Sequence, residues 1–340
     1  MNCKALATIT ILLIACFIPD IYAQDRPPFQ FKHFERIGTI KFDDPDTLLI
    51  GSIEQVDVDS NGRLLITDWI GKQVLLFDST GTLVASLDPS TCHPAFPFSP
   101  GAAVFGNDEF IFVTNSSPGY WGYQFTAEGA CLGRADRSFS SPRFIDVDPE
   151  GMIYGVRARP PTERMLTRMN SAGKVLAEFP LPPVEFRNAE YRIPQGGLIA
   201  DGTHIYYASA GTLDILKLDP NGTELDRISK RNSWFNSPNR DTPADVRQFI
   251  EAMKDYRGTT IWSLFELTNQ TIMVQYIDRR NGTGYQVFTK DGALIAEEFG
   301  LNSLFFHGEN GVVYIMYELD FDSRGELPNP ILDVYQFILP

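Results

Sequence analysis

The chain has 340 residues, 43% hydrophobic and 12% aromatic, which is ample for a sizeable core and excludes global disorder. Its formal net charge of −14 repels phosphate backbones and anionic membrane surfaces. Nucleic acid is therefore excluded as a partner class, while basic ligands, cations and basic proteins stay open.

Residues 1–23 read as a signal peptide. Lys4 supplies a positive start, residues 5–18 are apolar but short for a bilayer span, and Ala23 offers a small residue before a cut at Gln24. A second reading makes Leu13-Ile14-Ala15-Cys16 a lipobox, with Cys16 carrying a lipid anchor. No later apolar run is long enough for a transmembrane helix, so residues 24–340 are expected to form one exported domain, periplasmic, cell-envelope or secreted. Cleavage leaves Cys92 and Cys131, which an oxidising compartment would allow to pair; spacing alone leaves disulfide and free thiols both open.

The mature part repeats itself. In residues 52–87, Asp59-Ser60-Asn61-Gly62 and Asp78-Ser79-Thr80-Gly81 each separate two apolar runs, and alternation in Arg63–Asp68 and Gln73–Asp78 suits half-buried strands. The phrase returns around Gly151 and Gly173, around Gly202 and Gly222, and before Gly292 and Gly311; a worn copy surrounds Asn107 and Gly129. First-turn anchors at Gly62, Asn107, Gly151, Gly202, Asn269 and Gly311 recur mostly at about 42 to 51 residues, the period of four-stranded propeller blades. The expected fold is all-β, a six-bladed β-propeller of four-stranded blades. The last blade lacks a strand, and residues 36–42 are expected to supply it and close the ring.

Residues 56–68 followed by 72–78 resemble an NHL repeat, and the rhythm of the chain is similar to NHL-type and TolB-like six-bladed propellers. The resemblance implies the fold and no particular function, because unrelated functions share it.

Turns joining first to second and third to fourth strands are tight. The elaborations fall at 88–100, 115–122, 181–195, 230–258 and 318–332, all expected on the opposite face, where a scaffold carries function. The 230–258 link, between blades four and five, contains a predicted helix over 242–257. Thr242 is its cap, Pro243 its first position, and Val246, Phe249, Ile250 and Met253 form one stripe.

Asp57, Asp59, Asn61, Gly62 and Asp68 match an EF-hand loop in spacing, but their flanks read as strands; turn chemistry accounts for all of them except Asp68. The resemblance to lactonase propellers implies a divalent cation at the channel mouth, where the starts of the inner strands offer Glu54, Arg143, Gln195, Trp262 and Asn302. One carboxylate is a poor hard-cation set, so neither a metal nor any other cofactor is expected. His33, His93, His204 and His307 are scattered, and there is no nucleophile elbow, phosphate loop or zinc-protease motif. Glu54, Arg143, Gln195, Trp262 and Asn302, with Trp234 and Phe235 before the helix, are therefore candidate ligand-binding residues. The expected function is non-enzymatic recognition of a protein, peptide or glycan on the loop-bearing face; the alternative is a metal-dependent lactonase-like hydrolase or lyase at the same mouth.

Overall fold

A computed structural model describes residues 29–42, 48–92, 98–115, 122–135, 144–159, 163–181, 196–209, 213–235, 259–278, 281–317 and 329–339. Residues 1–32 and 33–340 form two compact units. In the described part of the first, the Phe29 and Phe31 rings lie 6.0 Å apart.

The second unit is all-β. It begins with β1 (Phe34–Lys41) and continues in runs of antiparallel strands. The first run is β2 (Ile53–Val58), β3 (Leu64–Asp68), β4 (Gln73–Phe77) and β5 (Leu83–Ser86). The second is β6 (Pro100–Gly106), β7 (Phe110–Asn115), β8 (Gly122–Thr126) and β9 (Cys131–Arg134). The third is β10 (Phe144–Val147), β11 (Ile153–Arg159), β12 (Glu163–Met169) and β13 (Val175–Pro180). The fourth is β14 (Gly196–Ala200), β15 (Ile205–Ser209), β16 (Ile215–Leu218) and β17 (Glu224–Ile228). The fifth is β18 (Thr259–Thr268), β19 (Thr271–Asp278), β20 (Gly282–Thr289) and β21 (Leu294–Leu301). Finally, β22 (Phe305–His307), β23 (Val312–Tyr317) and β24 (Ile331–Phe337) pair in order, and β1 lies antiparallel against β24 from Phe34↔Phe337 to Lys41↔Ile331. The fourth and fifth runs share one eight-stranded sheet through a single parallel pair, Gly196↔Ser263. Gly197 permits this approach, since a Cβ there would sit 2.4 Å from the Leu264 carbonyl oxygen.

The turn phrases explain the hairpins. The Asp59 carboxylate accepts the Asn61 and Arg63 amides at 3.0 and 2.8 Å, and Gly62 takes φ +75°. Asp148 and Asp219 repeat the device at their own turns. A short aspartate thus satisfies amides that the turn leaves unpaired, and glycine takes the left-handed position without a Cβ clash.

Strands β3 and β7 are buried along their whole length, because neighbouring sheets cover both faces. The core is a series of layers between consecutive sheets. Leu65, Val74 and Leu76 of the first run pack with Ile111, Tyr123 and Phe125 of the second, and Leu64 and Ile66 pack on the other side with Tyr314 and Leu332. The first strands β2, β6, β10, β14, β18 and β22 neighbour one another in that order, and β22 returns to β2. The arrangement is a β-propeller. A disulfide between Cys92 and Cys131 ties the link after the first sheet to the outer strand β9.

Among the described residues the single helix is a 3-10 turn, Pro89–Thr91, capped by Asp88. The predicted helix at 242–257 lies outside the described residues, as do most of the long links and the segment 1–23. No described helix is long and apolar enough to cross a membrane.

Candidate functional site

A cavity of about 1160 Å³ runs between the six first strands. Its two ends differ in chemistry.

At the end where the first strands begin, three strands carry bulges. Register shifts between Ile53 and Gln55 in β2, between Pro100 and Ala103 in β6, and between Ile261 and Ser263 in β18. The extra residues in β2 and β18 are Glu54 and Trp262, and both line the cavity. A bulge breaks the strict alternation of faces and so re-aims a side chain, which is why bulges concentrate beside binding sites. Burial pushes the Glu54 carboxyl above its ordinary value.

Trp69 joins them in the lining and is 66% exposed. Ile70, next in the same turn, and Leu49, in the link before β2, are 63% and 57% exposed. Large apolar side chains in the open would be mobile on an ordinary turn or link. Here Asp68, fully buried, accepts the amides of Gly51, Ser52 and Gly71 at 2.9, 2.8 and 3.0 Å and the Gln73 amide at 2.9 Å. Gln73 also donates to the Leu49 carbonyl at 2.8 Å. One carboxylate therefore locks the link before β2 to the turn after β3 and holds Trp69 in place. The device recurs: Asn115, ending β7, accepts the Ser99 amide at 3.0 Å, and Asp278, ending β19, accepts the Thr259 hydroxyl at 3.0 Å.

At the other end the lining is polar and largely committed to structure. Asp57 and Asp146 accept backbone amides of the next first strand, from Phe105 and Ala200, each at 2.7 Å, as Gln55, nearer the mouth, does from Ala103 at 3.2 Å. They pin neighbouring strands where no ladder joins them. Lys290 bridges Asp201 at 3.0 Å and Glu266 at 3.2 Å. The His307 Nδ1 lies 3.3 Å from an Asp57 oxygen. Burial alone would lower the His307 value, but the Asp57 hydrogen bond and the Asp57, Asp146 and Glu309 charges outweigh it and raise it. Asp146 borders the channel with protein around it; burial, helped by the Asp57 charge, pushes its carboxyl up to about 7 against two backbone hydrogen bonds.

This pair sets a pH dependence. The folded state binds both protons more tightly than the unfolded chain, so their contribution to stability is complete below the unfolded values. It is lost as pH rises through the folded ones, about 7 for Asp146. Asp146→Asn keeps an acceptor for the Ala200 amide without the charge. It is expected to be near neutral at about pH 3, below the unfolded value, and stabilising by on the order of 4 kcal/mol at pH 8. Urea unfolding of both proteins at both pH values measures this, and an equal difference at the two would refute it.

Of the residues singled out in the sequence, Glu54 and Trp262 both line the cavity. Asn302 precedes β22 and is exposed beside Gly282. Trp234 and Phe235 are half-buried in packing: Trp234 lies 4.7 Å from the Phe299 ring, and Phe235 lies 4.8 Å from that of Tyr276. Arg143 and Gln195 lie outside the described residues. Sequence reasoning passed over Trp69, whose signal was a Trp-Ile pair inside a turn otherwise rich in polar residues. Among the described residues no three His, Cys, Asp or Glu side chains come together as a metal-binding group.

No family model matches the chain. No curated protein matches it either. Solved structures do share its fold. A protein of Bacteroides fragilis whose name describes it as exported aligns with a TM-score of 0.60 at 13% identity, over 89% of this chain and 95% of its own. A member of the DUF4221 family from Bacteroides vulgatus aligns with a TM-score of 0.62 at 12% identity, over 92% and 100%. A catalytically inactive virginiamycin B lyase from Staphylococcus aureus, solved with quinupristin, aligns with a TM-score of 0.53 at 11% identity, over 90% and 99%. These likenesses establish the propeller fold and carry no activity across.

Proposed function

We propose that this chain is an exported binding propeller that takes a protein, peptide or glycan at the mouth where the first strands begin. In this reading its strands make six blades of four in the NHL or TolB-like manner, with β1 completing the last. The observation that carries the function is the convergence of bulged Glu54, bulged Trp262 and exposed Trp69 on one cavity. An exposed indole on a turn braced by a buried carboxylate contributes little to folding; it is preorganised surface, and preorganisation lowers the entropic cost of binding. Tryptophan is also among the residues that dominate binding energy at interfaces. The apolar segment 5–18 and the Cys92–Cys131 disulfide support export, since such bonds persist in oxidising compartments.

Arrays of peptides and oligosaccharides probed with the mature protein test this reading. Binding to one class, weakened at least about tenfold by Trp69→Ala or Trp262→Ala with the unfolding midpoint nearly unchanged, is the expected result. Variants that bind as well as the parent, or a parent that binds nothing, would remove the mouth from consideration.

A further inference from the structure

The chemistry of the mouth narrows the ligand class. Two features are independent of each other. The first is a pair of indoles: Trp69 stands in the open and Trp262 is half-buried at a bulge, both on the cavity wall. Indole is the strongest side-chain partner for a cation above a ring face, and it also covers the aliphatic stem of a long basic side chain.

The second feature is charge. Among the described residues the cavity is lined by eight carboxylates against one lysine and one histidine; Glu54 stands at the mouth and the other seven lie further along the channel, with Asp59 paired to Arg63. Lys290 is held between Asp201 and Glu266, and His307 faces Asp57. No hydrogen bond or ion pair engages the Glu54 carboxylate among the described residues. A channel with low-dielectric walls and one sign of charge focuses its field at the opening and concentrates counter-charge there. The whole chain, at −14, has the same sign. A neutral glycan could stack on the indoles but would draw nothing from this field.

We infer that the mouth binds a lysine- or arginine-bearing segment of a peptide or protein, with its aliphatic stem against Trp69 and Trp262 and its charge met by Glu54. This deepens the binding reading above and rests on it. The basic residue supplies the counter-charge that Glu54 lacks.

Calorimetric titration of the mature protein with three probes tests the inference: a capped peptide of alternating leucine and lysine, its leucine–glutamate counterpart, and a neutral glucose hexasaccharide. The lysine peptide is expected to bind at least about tenfold more tightly than the glutamate peptide. Its affinity should fall severalfold on raising salt from about 20 to about 200 mM, as screening shortens the reach of the field. Glu54→Gln and Trp69→Ala should each weaken it about tenfold, and the salt series on the parent protein needs no variant. Equal affinity for the two peptides, or a lysine affinity indifferent to salt and to Glu54→Gln, would overturn the inference. Trp69-dependent binding of the hexasaccharide without the lysine peptide would overturn it and leave the mouth as a binding site. Binding of none of the three would overturn the inference, while the wider binding reading stands or falls by the arrays.

Discussion

Replacing Asp68 with alanine is expected to destabilise the fold by about 3–4 kcal/mol, seen as a lower urea midpoint at pH 7. The carboxylate is fully buried and receives four hydrogen bonds, three from backbone amides and one from Gln73. Burial alone would raise its value, but the bonds from Gly51, Gly71, Gln73 and Ser52 hold it below the ordinary carboxylate range. Alanine leaves those donors facing a void. Each bond to a charged group contributes about 1.5–3 kcal/mol, and the total falls short of the sum because Gly51, Ser52 and Gly71 retain some access to water. The sign of the pH dependence follows from the lowered value. This stability is present above the unfolded value of about 4 and is lost as pH falls through the folded one, so parent and variant should converge in acid. Gly71→Ala should act on the same network, because a Cβ there would lie 2.3 Å from an Asp68 oxygen. A loss under about 1 kcal/mol for Asp68→Ala would mean that water replaces the carboxylate and that Trp69 is not braced as described.

Reduction of the Cys92–Cys131 disulfide is expected to cost a similar amount. The bond spans 39 residues of sequence, and the chain-entropy relation for a loop of that size places the effect at roughly 4 kcal/mol. The loop runs from the end of the first sheet through β6, β7 and β8 to β9, so the bond fastens two consecutive sheets at their outer edge. In the reduced unfolded chain that loop regains its freedom. Urea unfolding with and without reductant, beside the double replacement Cys92→Ser with Cys131→Ser, measures the effect. Coincident transitions would show that strand pairing already holds this edge.

Glu54 and Trp262 were legible as candidates because the repeat indexes the starts of the inner strands, and both sit at such starts. Their bulges were not, since a bulge is a relation between two strands and leaves no mark in one of them. Asp68 was the one residue that turn chemistry left unexplained. Its partners Gly51 and Ser52 lie across the β2–β3 pair, in a link that reads as bare connection. From the sequence Trp234 and Phe235 could be either rim packing or a binding surface; their rings close on Tyr276 and Phe299, far along the chain.

The amino-acid sequence by itself determined the all-β class, the repeating hairpins and their turns, because a turn phrase such as Asp-Ser-Asn-Gly and the alternation beside it act within a few residues. The period of the repeat carried the propeller, since units that cannot bury both faces alone must stack on one another. Only the tertiary structure decided that Cys92 meets Cys131 and that Glu54, Trp69 and Trp262 line one cavity. Each is a contact between segments whose separation costs chain entropy and whose meeting depends on the curvature and register of whole sheets. No local pattern of residues encodes that meeting.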